Sequence, residues 1–183
     1  MAHPLLAFPA TVNEHAARVT AGLVVLLTLA TILTTGPTRL LLLTLLTLGF
    51  ALRVAGGPRY SPLARFSVHV LVPLLRRSPR LTAGAPKRFA QALGLAFSAT
   101  ALSLSLPGWH HAATVTLVML AAAATLEAAF GFCLGCRIFG QLIRLGLIPE
   151  DVCADCADVT ARYARAKAPT LEIPRAEVDI HVR

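Results

Sequence analysis

VTAGLVVLLTLATILTT, residues 19–35, runs seventeen residues without a charge and stops at Gly36-Pro37, a pair that ends helices and opens turns. A run of this length and apolarity reads as a membrane span. Glu14 falls in what would be the basic region of a secretory signal, and no small-x-small cleavage site ends the run, so a cleaved leader fits less well than a retained helix. Shortly after it comes LLLLTLLTLGFAL, residues 40–52, bracketed by Arg39 and Arg53. Thirteen residues make a helix of only about 20 Å, short for a hydrocarbon core of about 30 Å. Snorkelling arginines extend the span to about 38–54. The short link between the two runs predicts a helical hairpin.

Further along, residues 89–106 are again charge-free. After Pro107-Gly108-Trp109-His110-His111 a fourth run extends from Ala112 to Cys133, broken only by Glu127. Trp109 suits an interfacial anchor. These runs predict an all-α membrane protein with four transmembrane helices, about 19–35, 38–54, 89–106 and 112–133, arranged as two hairpins. The membrane domain covers residues 1–136 and an amphipathic and helical tail covers 137–183.

Composition agrees. Of 183 residues 56% are hydrophobic and 14% charged, against about a quarter charged in soluble domains. The net charge of +8 lies between apolar runs, with neither a basic groove-reading helix nor an aromatic platform, which argues for the lipid bilayer and its anionic headgroups as partner and against nucleic acid. Between Arg53 and Arg88 stand eight cations and no acid, whereas the links at 36–39 and 107–111 are almost uncharged. Basic loops stay inside, so both termini and the central loop are expected in the cytoplasm. Within that loop Phe66 to Leu75 is too short to span and reads as an interfacial segment. Downstream, 137–147 is amphipathic, and Pro149-Glu150-Asp151 looks like the first turn of a helix over 152–167.

All four cysteines share one spacing, Cys133-x-x-Cys136 and Cys153-x-x-Cys156, with sixteen residues between the pairs. Two chemistries fit. Four thiolates at this spacing can close a tetrahedral zinc site. Equally, one pair can attack a disulfide or persulfide while the other resolves it. Arg137 favours thiolate in the first pair, whereas Glu150, Asp151, Asp155 and Asp158 oppose it in the second, so Cys133 or Cys136 is expected to be the better nucleophile. On this reading, replacing Cys136 leaves Cys133 to be trapped by a partner. Glu127, the one acid inside a run, is either an ion-pair partner of Arg18 or Arg53 or a proton relay. His110 and His111 on the outer turn and His69 in the interfacial segment lack companion ligands and read as interfacial or packed side chains.

Three stretches resemble a known family: Gly57-Pro58-Arg59-Tyr60-Ser61-Pro62-Leu63-Ala64-Arg65, then Pro86-Lys87-Arg88-Phe89-Ala90-Gln91, then Leu126-Glu127-Ala128-Ala129-Phe130-Gly131-Phe132-Cys133-Leu134-Gly135-Cys136. Together they are similar, over roughly residues 10–140, to the bacterial integral membrane proteins grouped as domain of unknown function 4395. Gly-Phe-Cys-Leu-Gly-Cys is the most specific part, and the second pair looks like an extension found in some members. The resemblance implies a multi-pass protein of the bacterial inner membrane with no established activity. It also implies thioredoxin-like or sulfurtransferase proteins as partners, since members tend to occur beside them.

The expectation is therefore a membrane thiol protein in which Cys133 and Cys136 exchange electrons or sulfane sulfur at the cytoplasmic face and Cys153 and Cys156 complete the relay. The alternative is a scaffold or binding protein whose tail is fastened by zinc on all four thiolates. A third reading is a transporter of a small sulfur compound with Glu127 on its path. The residues name no substrate and leave open whether the protein is an enzyme.

Overall fold

The computed structural model describes residues 11–57, 60–74 and 81–148. The chain opens with a short strand β1 (Thr11–Asn13), followed by α1 (Glu14–Leu33) and α2 (Gly36–Gly56). A helical segment comes next: α3 (Pro62–Phe66), a π-helical turn over Ser67–Leu71, and α4 (Val72–Leu74). Strand β2 (Leu81–Ala83) leads into α5 (Gly84–Ser105), then α6 (His110–Phe130) and α7 (Leu134–Arg144).

The protein is mostly helical, and α1, α2 and α6 are each long and apolar enough to cross a membrane. Local chemistry explains their limits. Asn13 caps α1 by accepting a hydrogen bond from the His15 amide at 3.0 Å, with Glu14 in the first turn where the helix dipole favours an acid. Only Thr34 and Thr35 separate α1 from α2, and Pro37 lies in the first turn of α2, so Gly36-Pro37 begins a helix as well as ending one. At 21 residues α2 is about 32 Å long, which removes the expected mismatch of the second run. Arg39 and Arg53 lie within this helix and are buried, at 7% and 4% exposure, rather than reaching out to headgroups.

The four long helices pack in a ring, α1 on α2, α2 on α5, α5 on α6 and α6 on α1. Val24, Leu43, Leu46, Phe50, Ala101, Leu117 and Leu120 form its interior. The outward faces are equally apolar: Leu26, Leu33, Leu41, Leu48, Val115, Val118 and Met119 are exposed. An exterior of this kind suits lipid and not water. Hydroxyls inside the ring close back onto their own helices, as in Thr28 to the Val24 carbonyl and Ser105 to that of Ala101, so they leave no unpaired donor in an apolar setting.

One feature departs from the all-α expectation. β1 and β2 pair antiparallel, Thr11 opposite Ala83 and Asn13 opposite Leu81. The two three-residue strands stand just before α1 and α5, so the ladder satisfies backbone groups there while tying the two helix starts together. Phe66 to Leu75, read as an interfacial segment, is helical through Leu74 and packs along α1, with Phe66, Val70 and Leu74 exposed.

Candidate functional site

At the end of the ring where α1 and α5 begin and α2 and α6 finish, the chain leaves α6 through Gly131. This residue takes the left-handed conformation (φ 68°), and its amide returns to the Glu127 carbonyl at 3.0 Å. A side chain would be strained in that conformation, which is why glycine ends this helix. Arg18 of α1 reaches over the same end. Its Nε and Nη2 donate to the Ala128 carbonyl at 3.3 and 3.2 Å, and Nη2 donates to that of Ala129 at 2.6 Å. A cation therefore satisfies the carbonyls that a helix C-terminus leaves open. Arg88 does the same for α2, donating to the Val54 carbonyl at 3.1 Å.

Two residues after the cap, Cys133 leads into α7. Its extended backbone and its sulfur, which accepts from the Cys136 amide at 3.4 Å, make it the N-cap. Cys133 is buried and Cys136 is partly exposed, and both are free thiols. Gly135 between them is required by packing, because a Cβ there would stand 2.5 Å from both Cα and Cβ of Ala90 on α5. Further along α7, Phe139 meets Phe89 with ring centroids 5.5 Å apart, and Ile143 adds to the same cluster. The first cysteine pair is thus held by a helix docked on α5, and the close approach at Gly135 fixes that docking.

Lys87 of α5 forms an ion pair with Glu127 of α6, the two side chains being 9% and 14% exposed. The expectation had paired Glu127 with Arg18 or Arg53. Arg18 is instead engaged with the end of α6. Arg53 lies back on its own helix, with its guanidinium 4.3 Å above the Phe50 ring and Nε donating to the Gly49 carbonyl at 2.9 Å. Sequence reasoning counted Lys87 among the loop cations. The available signal was its place beside Pro86, two residues before an apolar run, which suits the first turn of a helix.

Both thiols feel Lys87 and Glu127. A hydrogen bond from the Cys136 thiol holds Cys133 below the ordinary thiol range; burial and the Glu127 charge oppose this, while Lys87 and the Cys136 amide assist it. Cys136 is pushed up, first as the donor of that hydrogen bond and then by burial. The two shifts run in opposite directions, and the one at Cys133 favours its thiolate.

A profile described as Domain of unknown function (DUF4395) matches residues 12–144. The chain belongs to this family. The DUF4395 match takes in the four long helices, the first cysteine pair and α7, and it ends at Arg144. Comparison with curated proteins and with solved structures gives no match.

The histidines read from the sequence as interfacial or packed side chains are not part of this site. His110 opens α6 at the far end, where its carbonyl accepts from Arg39 at 3.4 Å, and His69 is exposed on the π-helical turn. Cys153, Cys156 and the acids around them lie outside the described residues. Among the described residues no group of three or more His, Cys, Asp or Glu side chains converges as a metal site would require. The four-thiolate zinc reading depends on the second pair.

Proposed function

We propose that this protein is a thiol–disulfide relay of the bacterial inner membrane, with four spans formed by α1, α2, α5 and α6 in two hairpins and with both termini and the dithiol at the cytoplasmic face. The 22 residues of α5 make about 33 Å, and its place between α2 and α6 in the ring supports counting it as the fourth span. The cation-rich end, which holds Arg18, Arg53, Lys87 and Arg88, supports the orientation.

One observation carries the chemical reading: two free thiols stand at the start of α7, with Cys133 Sγ accepting from the Cys136 amide at 3.4 Å and Cys136 the more exposed of the two residues; Cys133 held below the ordinary thiol range and Cys136 pushed above it point the same way. This supports Cys136 as the attacked sulfur, where the expectation had Cys133 trapped once Cys136 is replaced. In the oxidised pair, a thiolate of a partner dithiol attacks Cys136 Sγ. The Cys133–Cys136 bond breaks and its electron pair leaves on Cys133, whose thiolate is stabilised by the Cys136 amide and Lys87; a sulfur of lower pKa leaves faster. The partner's second thiol, having lost its proton to water, attacks its own sulfur in the mixed disulfide. Cys136 is released and takes up a proton. The partner ends as a disulfide and this protein as a dithiol, so two electrons have moved. In this proposal Cys153 and Cys156 receive these electrons or pass them on.

The test uses purified full-length protein and a reduced thioredoxin as the partner dithiol, in single variants oxidised with a thiol-activating reagent. Cys133→Ser should form a lasting mixed disulfide through Cys136. Cys136→Ser should form much less. The reverse preference would refute this polarity, and equal protection of all four thiols that is lifted only by a metal chelator would refute the relay in favour of a structural metal.

A further inference from the structure

Beside the dithiol, β1, the first turns of α1, the end of α2, α3 and the start of α5 enclose a cavity of ≈ 70 Å³. Its charged lining among the described residues consists of Arg53 and Lys87, exposed as whole residues by only 4% and 7%, and no described carboxylate lines it. Gln91, one helical turn after Lys87, also lines it, and its side-chain Oε1 is buried without a hydrogen-bond partner. Half a turn about its last torsion presents the amide NH₂ instead, at little cost.

A buried cation is tolerated when an opposite charge meets it. Glu127 is bonded to Lys87 and acts at longer range on Arg53, so the two cations share this carboxylate. The cavity volume exceeds several-fold the roughly 10–15 Å³ that a single water needs. A group of about five heavy atoms fits this space, and three donor side chains, two of them charged, define what it should carry. We infer that this cavity binds a tetrahedral oxyanion, held by the Arg53 guanidinium, the Lys87 ammonium and the Gln91 amide. The guanidinium fork matches two oxygens of such an anion, and the ammonium supplies a point charge for a third. A free inorganic anion and the phosphate of an anionic lipid headgroup share this chemistry.

The assignment does not rest on the relay, because among the described residues no thiol lines the cavity. Full-length protein in a nonionic detergent free of phospholipid is titrated with sodium sulfate, with sodium chloride at matched ionic strength as control, and thermal unfolding is followed. A saturable rise specific to sulfate supports a free oxyanion. A saturable rise only with short-chain phosphatidylglycerol supports a headgroup phosphate in the same site. Arg53→Met should weaken either effect about tenfold or more, as loss of a charged hydrogen-bond partner implies. Gln91→Glu, nearly identical in shape, should abolish it even if Arg53→Met fails to fold, since it adds a carboxylate to the lining. Cys133→Ser combined with Cys136→Ser should retain the effect whether or not the relay exists. No saturable response to either probe, wild-type affinity in Gln91→Glu, or loss of binding in the double cysteine variant would each overturn the assignment.

Discussion

Gly135→Ala tests whether packing on α5 is what positions the dithiol. The added methyl would sit 2.5 Å from Cα and Cβ of Ala90 and 3.2 Å from its backbone nitrogen. Ordinary carbon contacts lie at about 3.5–4.0 Å, so α7 must withdraw from α5 by about 1 Å or more. The obstacle is backbone, which cannot swing aside as a flexible side chain can. Overpacking of this kind costs typically 1–3 kcal/mol, which lowers the docked population of α7 about five- to 150-fold relative to the wild type. Gly140→Ala on the same helix is the control: nothing lies within 4 Å of its added methyl, so better helix propensity should stabilise α7 by about 0.5–1 kcal/mol. Hydrogen exchange of the α7 amides in detergent reads both variants directly. Gly135→Ala should accelerate exchange over 134–144 and return the Cys133 thiol towards its ordinary range, while Gly140→Ala should slow exchange. Equal protection in Gly135→Ala and wild type would refute the docking argument.

Glu127→Gln or Lys87→Met alone leaves one buried charge without its partner and should cost about 3–5 kcal/mol in thermal unfolding, whereas the double variant should cost clearly less; additive losses would show that the two side chains do not act as a pair. Thiolate absorbance of wild-type protein should rise with pH and reach half of its first step below the ordinary thiol value of about 8.5, because the hydrogen bond from Cys136 favours the charged form of Cys133. In Cys136→Ala that midpoint should move up, since donor and amide geometry both suffer, and an unchanged midpoint would remove the hydrogen bond as its cause. A reporter active only outside the cytoplasm, fused to the C-terminus, should be silent, and strong activity would invert the topology.

How much of this was legible without coordinates differs from element to element. The three apolar helices were readable because a bilayer demands long uninterrupted apolar runs, and such runs are a local property of the chain. Their ends were less readable. Arg39 and Arg53 look like boundaries in one dimension but lie inside α2, because aliphatic stems, an aromatic ring and helix carbonyls can bury a cation that hydropathy places outside. The two-strand ladder was invisible, since three-residue strands carry no periodicity.

The sequence by itself determined a family, a membrane setting and a pair of thiols three residues apart, because composition, run length and spacing are written along the chain. Tertiary structure decided the partners. It took Lys87 and Arg88 from a loop counted for its net charge and set one against Glu127 and the other on the end of α2. It made Gly135 a point of close approach between α7 and α5. It made Cys133 the buried N-cap of α7 and left Cys136 the more exposed residue, because burial and hydrogen bonding depend on what the fold brings within a few ångströms, and residues forty apart in sequence share that neighbourhood only after the helices have packed.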